Sequence, residues 1–171
     1  GQYRVPTTRF VRRWNTISDS KDLAKKVAQD ASYVAKDNGK LPAMPIYSNV
    51  SGGLPVDELP IVEVSPGKRY SFVRFDMEVV SKGNVDLGFN STAGVTAWAG
   101  QKPLKMNAKG IVADLPQGMQ TITLAIDRSQ FKDGQLAIQL QDAQQSPAQI
   151  RLTMGPVSYT HLRAHETTIE I

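Results

Sequence analysis

An antiparallel β-sandwich, preceded by one amphipathic helix and a Pro/Gly-rich linker, is the fold class this sequence predicts. Three observations point there. Apolar and polar residues alternate with period two from about residue 61 onward, Gly- and Pro-bearing turns interrupt them at intervals of about 8 to 12 residues, and no longer repeat of solenoid or propeller type is visible. The expected sandwich spans residues 61–155 with about seven to eight short strands.

The elements follow in chain order. Residues 1–17 read as a basic connector: residues 1–40 hold nine Lys and Arg against four Asp, whereas residues 41–156 hold ten of each sign, so the net charge of +4 originates at the N-terminal end. Residues 18–39 set Leu23, Val27, Ala31, Val34 and Ala35 at helical spacing, with Ser and Asp available to start the helix and Gly39 to stop it. That predicts one amphipathic helix of about four to five turns. Residues 40–60 carry prolines and glycines without a sustained period and read as an extended linker.

In "RYSFVRFDMEVV", Val73, Phe75, Met77 and Val79 alternate with Phe72, Arg74, Asp76 and Glu78. After the turn "SKGN", "NVDLGF" turns Val85, Leu87 and Phe89 to one face. "GVTAWAG" and "GIVADL" are short strands, "PQG" is a tight turn, and "MQTITLAI" aligns Ile122, Leu124 and Ile126. "KDG" turns the chain into "QLAIQLQD", and "PAQIRLTM" closes the series.

Composition narrows the chemistry. There is no cysteine, which removes disulfides, thiolate nucleophiles, haem attachment and cysteine-based zinc sites. The first residue is Gly1, the opening ten residues lack the zones of a signal peptide, and the chain reads as part of something longer. The only histidines, His161 and His165, stand four apart as in a helical metal clamp, but only Glu166 lies close enough to join them and no metal site is assigned. Without them, acid–base candidates reduce to carboxylates, Lys and Tyr. Asp76 and Glu78 share a strand face, either as a glycosidase-like pair or, the preferred reading, as a solvated polar face. No Gly-rich loop joins a strand to a helix, so no phosphate cradle is expected and no cofactor is assigned.

Binding candidates are few. Trp98, near the end of a short strand, is placed either to stack on a sugar or to fill the core, the latter preferred. Tyr70 and Phe72 lie opposite Val73 and Phe75 and are expected as an exposed interface or as a second packing contact. Arg9, Phe10, Arg12, Arg13 and Trp14 form a basic, aromatic stretch that suits docking on a neighbouring domain better than nucleic acid, whose phosphates usually draw more positive charge. Asn49-Val50-Ser51 and Asn90-Ser91-Thr92 match the glycosylation sequon.

Three resemblances add to this. Over about residues 45–154, the order of "GNVDL", a strand ending in "WAGQKP", another ending in "DLPQG", "TITLAID" and "GQLAIQL" resembles accessory β-sandwich domains of large exported planctomycete-type bacterial proteins. Those domains accompany sorbosone-dehydrogenase-like propellers and c-type cytochrome domains. The order is loosely similar to protective-antigen-type lectin modules, departing from them where Ala99 precedes Gly100 in place of an acidic residue, where Gln120 replaces a histidine, and in lacking the acidic pair for calcium. Residues 157–167, "VSYTHLRAHET", resemble a translated sequencing adaptor, so 156–171 is expected to be a non-native tail. The resemblances imply a noncatalytic, periplasmic or secreted accessory module whose partners are the flanking domains of its parent protein. Any haem or dehydrogenase activity would lie outside the chain, and glycan binding through Trp98 is the alternative.

Overall fold

Strand structure begins at Arg9, ahead of the alternating region. The computed structural model describes residues 9–20, 22–37, 40–141 and 150–152. Strands β1 (Arg9–Phe10) and β2 (Arg13–Ile17) lead into helices α1 (Leu23–Gln29) and α2 (Tyr33–Lys36). Then come β3 (Ala43–Tyr47), β4 (Leu54–Pro55), a 3-10 turn at Val56–Glu58 and β5 (Val62–Ser65). The alternating region forms β6 (Lys68–Val79), β7 (Gly83–Phe89), β8 (Val95–Ala99), β9 (Lys102–Leu104), β10 (Gly110–Leu115) and β11 (Gly118–Asp127). The series ends with β12 (Gln135–Leu136), β13 (Ile138–Gln141) and β14 (Ile150–Leu152).

Among the described residues all strand pairings are antiparallel, and the fold is mainly β, as the alternation predicts. One sheet has the order β1-β13-β7-β10; the larger has β3-β2-β6-β11-β8-β9; β12 and β4 form a small third pair. The long strand β6 pairs with β11 from Val79 opposite Gly118 to Tyr70 opposite Asp127. Its other edge is shared in turn by β5, β2 and β14. The turns "SKGN" and "PQG" both carry the chain from one sheet to the other: β6 and β11 lie in the larger sheet, β7 and β10 in the smaller.

Period-two side chains from both sheets make the main core. Val73, Phe75, Met77, Ile122 and Leu124 of the larger sheet meet Val85, Leu87, Ile111, Ile138 and Leu140 of the smaller. Burying each such side chain stabilises the fold by about 1.5–3 kcal/mol. Gly110 fixes the register of β10 on β7. Its φ is +142°, and a Cβ there would stand 2.0 Å from the Leu87 carbonyl oxygen, so only glycine fits.

Three expectations are corrected. The N-terminal stretch is not only a connector: β2 inserts between β3 and β6, and Trp14 is fully buried, edge-on to Phe75 at 5.2 Å, with its indole N–H donating to Ser48 Oγ at 2.9 Å. The expected single helix is two short ones. Asp30 adopts an extended backbone after α1, and its carboxylate accepts from the Ser32 N–H at 3.0 Å and the Ser32 hydroxyl at 2.7 Å. A short polar side chain that bonds its own backbone competes with the helix. The linker, finally, contains β3 and β4. The expected tail and both histidines lie outside the described residues.

Candidate functional site

The outer face of the larger sheet gathers most of the candidate side chains. Because successive strand residues point to opposite faces, Phe72, Arg74, Asp76 and Glu78 emerge on the side away from the main core. Cross-strand register places Phe72 beside Ala125, and Arg74 beside Thr123, which in turn faces Trp98.

This face is roofed, not open. α1 and α2 set Leu23, Val27 and Val34 over it, in a second core with Ile17, Val62, Phe72, Trp98 and Ala125. Trp98 is 3% exposed and Phe72 1%, so neither ring offers a face to a ligand. Trp98 is a core residue, as preferred, but of the layer between sheet and helices and not of the sandwich interior. Tyr70 is half-buried and stacks on Phe72 with centroids 6.0 Å apart. Of the two readings, exposed interface or packing contact, Tyr70 and Phe72 make a packing contact within the chain.

Arg74 fastens the roof. Its guanidinium donates to the Val34 carbonyl and to the Asp37 carboxylate, and Asp37 also accepts from the Leu41 N–H at 2.9 Å. The two side chains of this ion pair are 12% and 3% exposed. One arginine thereby satisfies a helix-end carbonyl and a buried carboxylate together, both costly if left alone.

The carboxylates of the strand face stand past the helices. Asp76 accepts from the Thr121 hydroxyl at 2.8 Å, and Glu78 pairs with Arg151 of β14 at 3.0 Å. Both have cross-strand partners. Elsewhere Asp127 is buried, and its carboxyl is lowered from the ordinary value. Burial acts to raise it, and hydrogen bonds from the Ser129 hydroxyl and the Ser129 and Gln130 N–H groups outweigh that effect. Asp30 is held down to about 2 by hydrogen bonds from Ser32 and Lys36. Among the described residues no group of His, Asp and Glu is placed to hold a metal ion.

The basic docking stretch is folded into the molecule. Arg9 donates to the Ile150 carbonyl at 2.7 Å, Arg12 to the Asn49 and Val50 carbonyls at 3.1 and 3.2 Å, and Arg13 to the Tyr47 hydroxyl at 3.2 Å while lying 5.7 Å from its ring centroid. Phe10 packs against Gly52, where a Cβ would meet its ring at 2.5 Å. Only Arg12 of the five is exposed. Sequence reasoning missed this because a strand of five residues beginning Arg-Trp-Asn carries too little periodicity to be seen.

Of the two sequons, Asn90 is tied at both ends of its amide, donating to the Gln135 carbonyl and accepting from the Ala137 N–H, each at 2.8 Å. Asn49 braces its turn, its side-chain oxygen accepting from Ser51 and Gly53. No helix among the described residues is long and apolar enough to cross a membrane. Compared with protein-family models, with curated proteins and with solved structures, the chain matches none.

Proposed function

We propose that this chain is a noncatalytic accessory module that works by contact with neighbouring domains of a larger extracytoplasmic protein. The supporting observation is how its chemically distinctive side chains are used. Trp98, Phe72, Arg74 and Asp37 build the helical roof, Asp76 and Glu78 brace neighbouring strands, and Arg9, Arg12 and Arg13 hold backbone carbonyls and a tyrosine. Among the described residues these side chains serve internal structure, which favours action by surface contact. The resemblance of residues 45–154 to accessory domains of large exported bacterial proteins supplies the setting, with any haem or dehydrogenase chemistry carried by other domains. A buried Trp98 does not favour glycan stacking.

The test is calorimetric titration of the full chain with the separately expressed polypeptides encoded on either side of it in its source gene. Binding of at least one is expected. Absence of binding to both, together with hydrolysis of a glycan panel that disappears in Asp76→Asn or Glu78→Gln, would replace this reading with an enzymatic one.

A further inference from the structure

The sheets' free edges are treated unequally. An unpaired edge strand offers N–H and C=O groups to any extended chain, and proteins blunt such edges with proline, bulges, short strands or charge. On β3, the Ser48 N–H donates to the Arg12 carbonyl and the Ser18 N–H to the Pro42 carbonyl, so even-numbered residues face β2 and Pro45 faces outward without a donor. On β9, Ala99 opposite Lys102 closes a two-residue hairpin loop, which turns Pro103 outward in the same way. β5 carries a register shift between Glu63 and Ser65, the Ile150 carbonyl of β14 is taken by Arg9, and β1 is two residues long.

Of these devices β10 carries only charge, at Asp114. It runs six residues in unbroken register on β7 and contains no proline. The Phe89 N–H donates to the Lys109 carbonyl, so Ile111, Ala113 and Leu115 direct their backbone groups to β7, and Gly110, Val112 and Asp114 direct theirs outward. Asn107 occupies Gly110: its carboxamide oxygen accepts from the Gly110 N–H at 3.0 Å, and its own N–H donates to the Gly110 carbonyl at 2.8 Å. Among the described residues, the N–H and C=O groups of Val112 and Asp114 have no partner on that side.

The side chains select what can add there. Val112 is 52% exposed and stands opposite Asp86; Asp114 stands opposite Asn84. Among the described residues neither Asp86 nor Asp114 is in an ion pair. Lys82 and Lys109 lie just outside the paired register at its two ends. In a second copy added with Asp114 opposite Asp114, carboxylate would face carboxylate, and like charges on facing strands destabilise such a pairing. A strand with cations at alternate positions meets both acids. We infer that the outer edge of β10 is a docking site for an extended basic segment of a partner protein, which adds as a further strand through Val112 and Asp114 with its Lys or Arg side chains over Asp86 and Asp114. This rests on the reading of the chain as an interaction module.

The test uses the full chain and two capped octapeptides, one alternating lysine with valine and one alternating glutamate with valine. Residue-resolved amide exchange should show Val112 and Asp114 exchanging rapidly in the free chain and protected by the lysine peptide, which should bind at least about tenfold more tightly than the glutamate peptide. Val112→Pro, which removes an outward donor, should weaken binding about tenfold or more, as a lost ladder hydrogen bond does. Asp86→Lys/Asp114→Lys should reverse the preference between peptides. Protection of both amides in the dilute free chain, no binding of the lysine peptide at millimolar concentration, or equal binding of the two peptides would overturn the proposal. If a flanking polypeptide binds the chain while the lysine peptide does not, the β10 site is wrong and the interaction module stands; if neither binds, both fall.

Discussion

At the scale of single residues, the ion pair of Arg74 and Asp37 closes the helical roof over the sheet. Removing one partner strands the other in a dry site, which costs about 3–5 kcal/mol; replacing both by apolar residues removes that penalty. Arg74→Met and Asp37→Leu should therefore each destabilise strongly, and the double variant should recover much of the loss in urea denaturation. Additive losses would show that the two groups act independently. Asp127 supplies a pH test. Its folded carboxyl lies below the ordinary value of about 3.9, so its stabilisation is complete above that value and is lost as pH falls through the lower, folded one. Ser129→Ala should accordingly cost about 1 kcal/mol at neutral pH, with the deficit shrinking on acidification below about pH 4. A deficit independent of pH would place the serine's role outside the carboxylate.

At the scale of elements, legibility followed periodicity. β6, β7 and β11 were readable because each presents several apolar residues at alternate positions, and burial then matches the alternation: Val73, Phe75, Met77 and Val79 are all buried against the other sheet. The helix was readable in kind but not in extent. Leu23, Val27 and Val34 do face inward, but Asp30 and Ser32 interrupt the backbone between them, a side-chain effect that apolar spacing does not register. β2 and β3 were not readable at all. β2 holds only five residues, and Pro45 in β3 argues against a strand unless the strand is known to be an edge. The same blindness reached the candidate site. Alternation correctly put Phe72 and Arg74 on the face away from the main core, and nothing local said that the preceding helices would cover it.

At the scale of the whole molecule there are three layers. The smaller sheet lies on the larger across the main core, and the helices pack on the larger sheet's far side through a second core. The N-terminal segment stitches them together, since β1 joins the smaller sheet and β2 the larger. Among the described residues, this arrangement turns Phe72, Arg74 and Trp98 toward the helices and leaves sheet edges and loops at the surface. The two tryptophans report on it directly, because Trp14 belongs to the main core and Trp98 to the second, and the chain has no others. The most direct measurement is fluorescence of the native chain with acrylamide quenching, repeated with Trp14→Phe so that Trp98 is seen alone. A blue-shifted emission that acrylamide quenches weakly, unchanged by added oligosaccharides, is the predicted result. A red-shifted Trp98, readily quenched and then protected by a sugar, would contradict it and make the covered face a binding site.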